Sequence, residues 1–256
     1  MNSVVQIIAG SRVFAGPRTL CVRGPWHTRR VANSLILSDA TDLHDVDTFL
    51  KRSAGIRDGV CRIVARGRVA ALHTAFSFPL MLTDPAPVII AQRGVRLTQQ
   101  TELLDVVVPL AELRDRMPRA VNAGRGQLRV PPQRVNAPWT SLVPLQAQWE
   151  PGGTVVDDAV YDAGAEVARI VNDSLPDHPG QPVVVQARNA VWGKTLGELG
   201  VVTQDDHLAP MLAGAAFTAQ ALGFVARGQR SRVFASGMWR RLSCHGGTLL
   251  YRAGLS

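Results

Sequence analysis

The chain has 256 residues, 46% of them apolar and 19% charged, which suffices for a sizeable buried core and excludes extended disorder. Its three cysteines, Cys21, Cys61 and Cys244, offer neither a disulfide framework nor the paired spacing of a zinc site, and the N-terminus lacks the basic first region and long apolar run of a secretory signal. A soluble cytoplasmic protein with no cofactor and no metal is expected, carrying a net charge of +8 in which Lys51 and Lys194 are the only lysines among 28 basic residues.

In chain order, Val4 to Ala9, Arg12 to Ala15 and Thr19 to Val22 are β-rich runs broken by Gly10, Gly16 and Pro17, which predicts an opening antiparallel meander. Leu43, Val46, Leu50 and Ala54 recur at helical spacing and predict a helix over 39–54, with Ser38 or Asp39 at its start and Gly55 at its end. Gly59 to Ala65 and Val69 to Phe78 read as a hairpin across Arg66-Gly67-Arg68, and Val88 to Leu97 as a further strand. Between 98 and 118 the pattern is mixed, strand-like over Asp105 to Leu110 and helical over Ala111 to Met117.

From Val121 to Pro138 the sequence turns loop-like, which places a boundary between two lobes, 1–130 and 139–256, or a bend within one continuous domain. Thr154 to Leu175 is an amphipathic helix pattern, with Thr154 and Asp157 at capping-box spacing, and Pro182 to Ala187 a short apolar strand. Leu208 to Ala226 carries no charge and too few polar residues to make a solvent face, so it predicts a buried helix rather than a membrane span, delimited by Asp205, Asp206 and Gly223. Val233 to Leu242 and Thr248 to Arg252 then form a terminal β-hairpin around His245-Gly246-Gly247. The fold class is α+β: a strand-rich antiparallel N-terminal lobe, then a C-terminal lobe with an amphipathic helix, a buried helix and the hairpin.

Several chemical motifs fail on their own requirements. Gly193-Lys194-Thr195 lacks the glycine five residues earlier that a phosphate loop needs, since Arg188 stands there. His245-Gly246-Gly247 has no accompanying G-x-S-x-G elbow, and Cys244 and His245 point to opposite faces if they lie in a strand. Asp42, His44, Asp45 and Asp47 read as a solvated first helical turn, Asp157-Asp158 likewise, and His73 as a satisfied core histidine.

Charge placement is more informative than charge count. Residues 1–38 hold five arginines and no acid, residues 207–256 hold six and no acid, and the middle carries seventeen basic residues against twenty acidic ones. An arginine skew alone also follows from a GC-rich genome. The two acid-free ends each contain a basic-aromatic segment, Trp26 to Arg30 and Met238 to Arg241, in which guanidinium groups suit phosphate and indole rings suit stacking. Trp26, Arg29, Arg30, Trp239, Arg240 and Arg241 are therefore the candidate anion-binding residues, expected to border one surface.

The segments VWGKTL, AGAAFTAQALGFVARG and SGMWRRLSCHGGTLLYR resemble, over the C-terminal third, a family of uncharacterised actinobacterial proteins, a resemblance that implies no activity. The reading is a non-enzymatic binding protein for an anionic partner, foremost nucleic acid. The alternatives are an enzyme or carrier for a small phosphorylated or CoA-like anion, and a protein-interaction module.

Overall fold

A computed structural model describes residues 34–254, apart from 82, 145, 146, 179 and 203; the expected meander before Arg23 lies outside them. The elements are β1 (Ser34–Ile36), α1 (Thr41–Ile56), β2 (Val60–Ser77), β3 (Val88–Pro109), α2 (Leu110–Ala123), β4 (Gln127–Arg129), a 3-10 turn (Pro138–Leu142), β5 (Glu150–Val156), α3 (Asp157–Asp173), α4 (Gln181–Trp192), α5 (Ala213–Leu222), β6 (Arg230–Ser236), β7 (Trp239–Ser243) and β8 (Thr248–Arg252). This is an α+β fold, and its terminal hairpin is β7–β8.

Six antiparallel strands form one sheet in the order β2-β3-β8-β7-β6-β5, so strands from both halves of the sequence meet at β3–β8. One face carries the main core. Ile63, Leu72, Ile89, Val155, Leu242, Leu249 and Tyr251 point to it and are covered by residues such as Leu43 and Phe49 of α1, Leu113 of α2, Val160 of α3 and Ala216 of α5. Because α5 presents Ala213, Gly214, Ala215, Ala216 and Ala219, all buried, its neighbours approach closely. A Cβ on Gly164 of α3 would stand 2.7 Å from the Ala216 carbonyl oxygen, so that crossing depends on small residues. Among the described residues the opposite face is covered only in part, where Trp139 and Val143 pack on Val88, Ile90 and Leu250.

Residues 60–77 are strand on both sides of Arg66-Gly67-Arg68, where Gly67 takes φ +62° and the register with β3 shifts; the chain turns back there as expected, since His73 meets the Arg62 backbone. Other local expectations are corrected. Residues 182–187 are helical, with Pro182 in the first turn, because the helix delivers Trp192 into the core against Phe217, 5.1 Å between ring centres, and that packing overrides three β-branched valines.

The amphipathic helix starts at Asp157 rather than Thr154, since Thr154 to Val156 pair with Arg232 to Arg230 of β6. Asp157 is no solvated capping residue. It is 1% exposed and accepts hydrogen bonds from the Ser231 hydroxyl at 2.6 Å and the Ala226 amide at 3.0 Å. The charge-free run is helical only over Ala213–Leu222, closed by Gly223 at φ +66°. The stretch 233–242 is broken at Gly237, φ +53°, into the end of β6 and the start of β7. Gly246 and Gly247 turn the β7–β8 hairpin, but they are glycines for space: a Cβ on Gly246 would lie 2.7 Å from the Gly223 carbonyl oxygen, and one on Gly247 would collide with the Phe224 ring.

Candidate anion-binding face

Strand alternation builds the site. In β6, Val233 faces the helices while Arg232 and Phe234 face away; in β7, Leu242 faces the helices while Trp239 and Arg241 face away; in β8, Leu249 and Tyr251 alternate with Leu250 and Arg252. Register then sets Phe234 beside Arg241 and Arg241 beside Leu250, and Arg252 lies over Trp239. The result is an arginine and aromatic patch on the less covered face of the sheet.

The guanidinium carbon of Arg241 lies 4.0 Å from the ring centre of Phe234 and 4.8 Å from that of Trp149, which reaches over from the segment before β5. Arg232 stands 5.8 Å from Phe234, and Arg252 5.6 Å from Trp239. Stacking holds a guanidinium by its plane and leaves the donors at its edge available for an oxyanion. Among the described residues, Arg232 and Arg241 form no ion pair, and the Arg241 Nε is shut off from solvent with no acceptor. Burial, and then the like charge of Arg232, hold Arg241 below the usual arginine value. Among the described residues, this cationic pair has no counter-charge in salt-bridge contact.

At the far end of the same face the opposite holds. Arg62 donates to both carboxylate oxygens of Asp105, at 2.8 and 2.6 Å, and to the Thr140 carbonyl at 2.7 Å, fastening the 3-10 turn onto the sheet. Its hydrogen bonds hold Asp105 below the ordinary carboxylate range. His73 is 3% exposed, a core histidine as expected; burial pushes it down to about 4 against a hydrogen bond to the Arg62 backbone, and its Nδ1 has no partner.

Of the sequence candidates, Trp239 and Arg241 share the patch. Arg240 pairs with Tyr251 and points to the other face, exposed, donating to the carbonyls of Gly237 and Trp239 at 2.9 and 3.0 Å. Trp26, Arg29 and Arg30 lie outside the described residues. The structure adds Arg232, Phe234, Arg252 and Trp149. The signal for the first two was present in the alternation S-R-V-F once that run is read as a strand with one buried side.

The rejected motifs stay rejected on geometry. Thr195 bridges to Leu212 and its amide donates to Glu198 at 2.6 Å, and burial raises the Cys244 thiol to about 12, far from a thiolate at neutral pH. Asp47 takes Lys51 and Asp45 takes Arg93. Among the described residues no three His, Cys, Asp or Glu side chains converge as a metal site, and no helix is long and apolar enough to cross a membrane.

Residues 31–141 match the family model described as a domain of unknown function (DUF8010), and residues 144–256 that of a second domain of unknown function (DUF8185). Two domains of unknown function thus cover the chain from residue 31 on, apart from 142 and 143. No curated protein matches. Among solved structures the chain is similar to the DNA polymerase sliding clamp of Caulobacter crescentus, at 9% identity and a TM-score of 0.42 over 84% of this chain and 64% of that one. It is also similar to DNA polymerase III subunit beta of Borrelia burgdorferi, at 8% identity and 0.47 over 88% and 66%. A third likeness is to PCNA of Thermococcus kodakaraensis, at 8% identity and 0.41 over 86% and 98%. The chain therefore spans just under two thirds of the length of the two bacterial proteins.

Proposed function

We propose that this chain is a non-enzymatic binding protein whose exposed sheet patch takes an anionic polymer bearing planar rings, a single-stranded nucleic acid. The observation that carries the reading is the pair Arg232 and Arg241, stacked on Phe234 and Trp149 and lacking any carboxylate partner among the described residues. Like charges held together without compensation cost stability unless an external anion relieves them. Aromatic side chains beside them supply the sequence-tolerant stacking that single strands use, and a sheet face with such residues is a suitable platform. Trp239 and Arg252 extend the patch along β7 and β8.

The test is the affinity for a labelled single-stranded oligonucleotide across a range of salt. Binding should weaken steeply as salt rises, and the double variant Arg232→Gln with Arg241→Met should bind about tenfold or more weakly, with a slope in log affinity against log salt reduced by roughly 1.4, from about 0.7 per lost phosphate contact. Equal slopes for the double variant and the parent protein would refute this placement of the site.

A further inference from the structure

A second group of arginines lies away from the sheet patch, between the C-terminal end of α1, the end of β2 and α4. Arg57 and Arg188 both line a concavity of about 310 Å³ together with Ser77, Asn189 and the apolar side chains of Ile56 and Phe78. Arg57 lies 4.5 Å above the Phe78 ring and donates to the Phe76 carbonyl at 3.2 Å, while Arg188 lies 4.8 Å above the Trp192 ring. Neither is in an ion pair among the described residues. The carboxylates of Asp58 and Asp84 also line the concavity, but they are taken by backbone amides, of Gly59 for the first and of Leu80 and Ala86 for the second.

Three polar atoms at this place are shut off from solvent with nothing to bond: Ser77 Oγ, Asn189 Oδ1 and Arg188 Nε. Such orphans are rare in a folded chain; an oxyanion would satisfy the two donors among them, Ser77 Oγ and Arg188 Nε, beside two cations that form no ion pair among the described residues. Burial lowers both arginines from their usual value, and for Arg188 the charge of Arg57 adds to it. The same concavity runs, through Asp84, Val185 and Asn189, into a second hollow of about 880 Å³ whose walls include Pro85, Ala86, Pro182 and Ala190. Val185, 41% exposed, is an apolar side chain left half uncovered on α4 at the junction of the two.

We propose that this is a binding site for a small amphiphilic anion, with its carboxylate or phosphate head between Arg57 and Arg188 and its hydrocarbon body along the adjoining hollow. Two forked donors meet one oxyanion head. Ser77 and Asn189 add a hydroxyl and an amide, and the apolar walls would shelter the rest of the molecule from water. The proposal is independent of the sheet patch, with which it shares no residue.

Calorimetric titration with octanoate, octyl phosphate and octanol tests it. The two anions separate a carboxylate from a phosphate preference, and the uncharged alcohol shows what the hollow contributes alone. At least one anion should bind about tenfold or more tightly than octanol, a difference equal to about 1.4 kcal/mol. In Arg188→Met that discrimination should vanish, while the melting midpoint of the unliganded protein stays level or rises, because the variant removes a half-buried cation that forms no ion pair among the described residues. Octanol binding as well as both anions, or an unliganded Arg188→Met that melts several degrees lower, would overturn the proposal.

Discussion

Arg62 and Arg241 occupy the same face of one sheet, and they differ in everything but residue type. Arg62 is tied by three hydrogen bonds to Asp105 and Thr140, whereas Arg241 is packed between two rings with no acceptor for its Nε. At the β2–β3 end the charge is used up in holding the chain; at the β6–β8 end it is left over. An arginine that closes a structural link marks stability, and one whose donors the fold leaves unspent marks a place for something else.

The largest effect expected from this contrast belongs to the β2–β3 end and to pH. An unfolded imidazole takes its proton near 6.5, while burial holds His73 near 4 in the folded chain, with the Arg62 charge opposing protonation and the Asp105 charge favouring it. Between those values only the unfolded state binds the proton, so acidification through this window must cost stability, on the order of 3 kcal/mol at 1.36 kcal/mol per pH unit, and above it His73 contributes no slope. Denaturant melts of the parent protein and His73→Gln from pH 7 to 4 should show a shallower decline for the variant. Parallel curves would mean that His73 is not sheltered.

Next in size is the arginine that closes the link. Arg62→Met should lower stability by about 2 kcal/mol, since it leaves the Thr140 carbonyl and Asp105 without their donor. It should also loosen the 3-10 turn, seen as faster amide exchange near Trp139. A loss below about 0.5 kcal/mol would erase the distinction between the two ends.

How far the sequence carried this contrast is instructive. Class, the helix near 41–56, the buried helix and the terminal hairpin were legible because their apolar spacing, caps and glycines agreed. The helix over Gln181–Trp192 was not, because three consecutive valines look like a strand until Trp192 is seen to need a socket against Phe217. Within the candidate site, Arg241 and Trp239 were found by composition. Arg232 and Phe234 were passed over because the run from 233 to 242 looked like one strand, and the break at Gly237 is what brings β6 back alongside β7. The sequence also paired Arg240 with Arg241 as neighbours, although in a strand adjacency separates side chains. Arg57 and Arg188 are far apart in sequence, and only the packing of α4 places them on one concavity.

The smallest effect is the most discriminating. Arg232→Glu and Arg240→Glu each change the charge by the same amount at an exposed position on neighbouring strands, so either should move the thermal midpoint by no more than about 2 °C. If the protein held nucleic acid only through its overall positive field, the two variants would weaken oligonucleotide binding equally. A site on one sheet face predicts otherwise: at roughly 150 mM salt the screening length is about 8 Å, so a charge on the far side of the sheet is felt weakly while one in contact is felt fully. Arg232→Glu should then cost about tenfold in affinity and Arg240→Glu about twofold or less. The same two variants measured at low salt should draw closer together, because screening is what separates them. Equal losses at both salt concentrations would return the binding to the whole surface, and a greater loss for Arg240→Glu would move it to the opposite face.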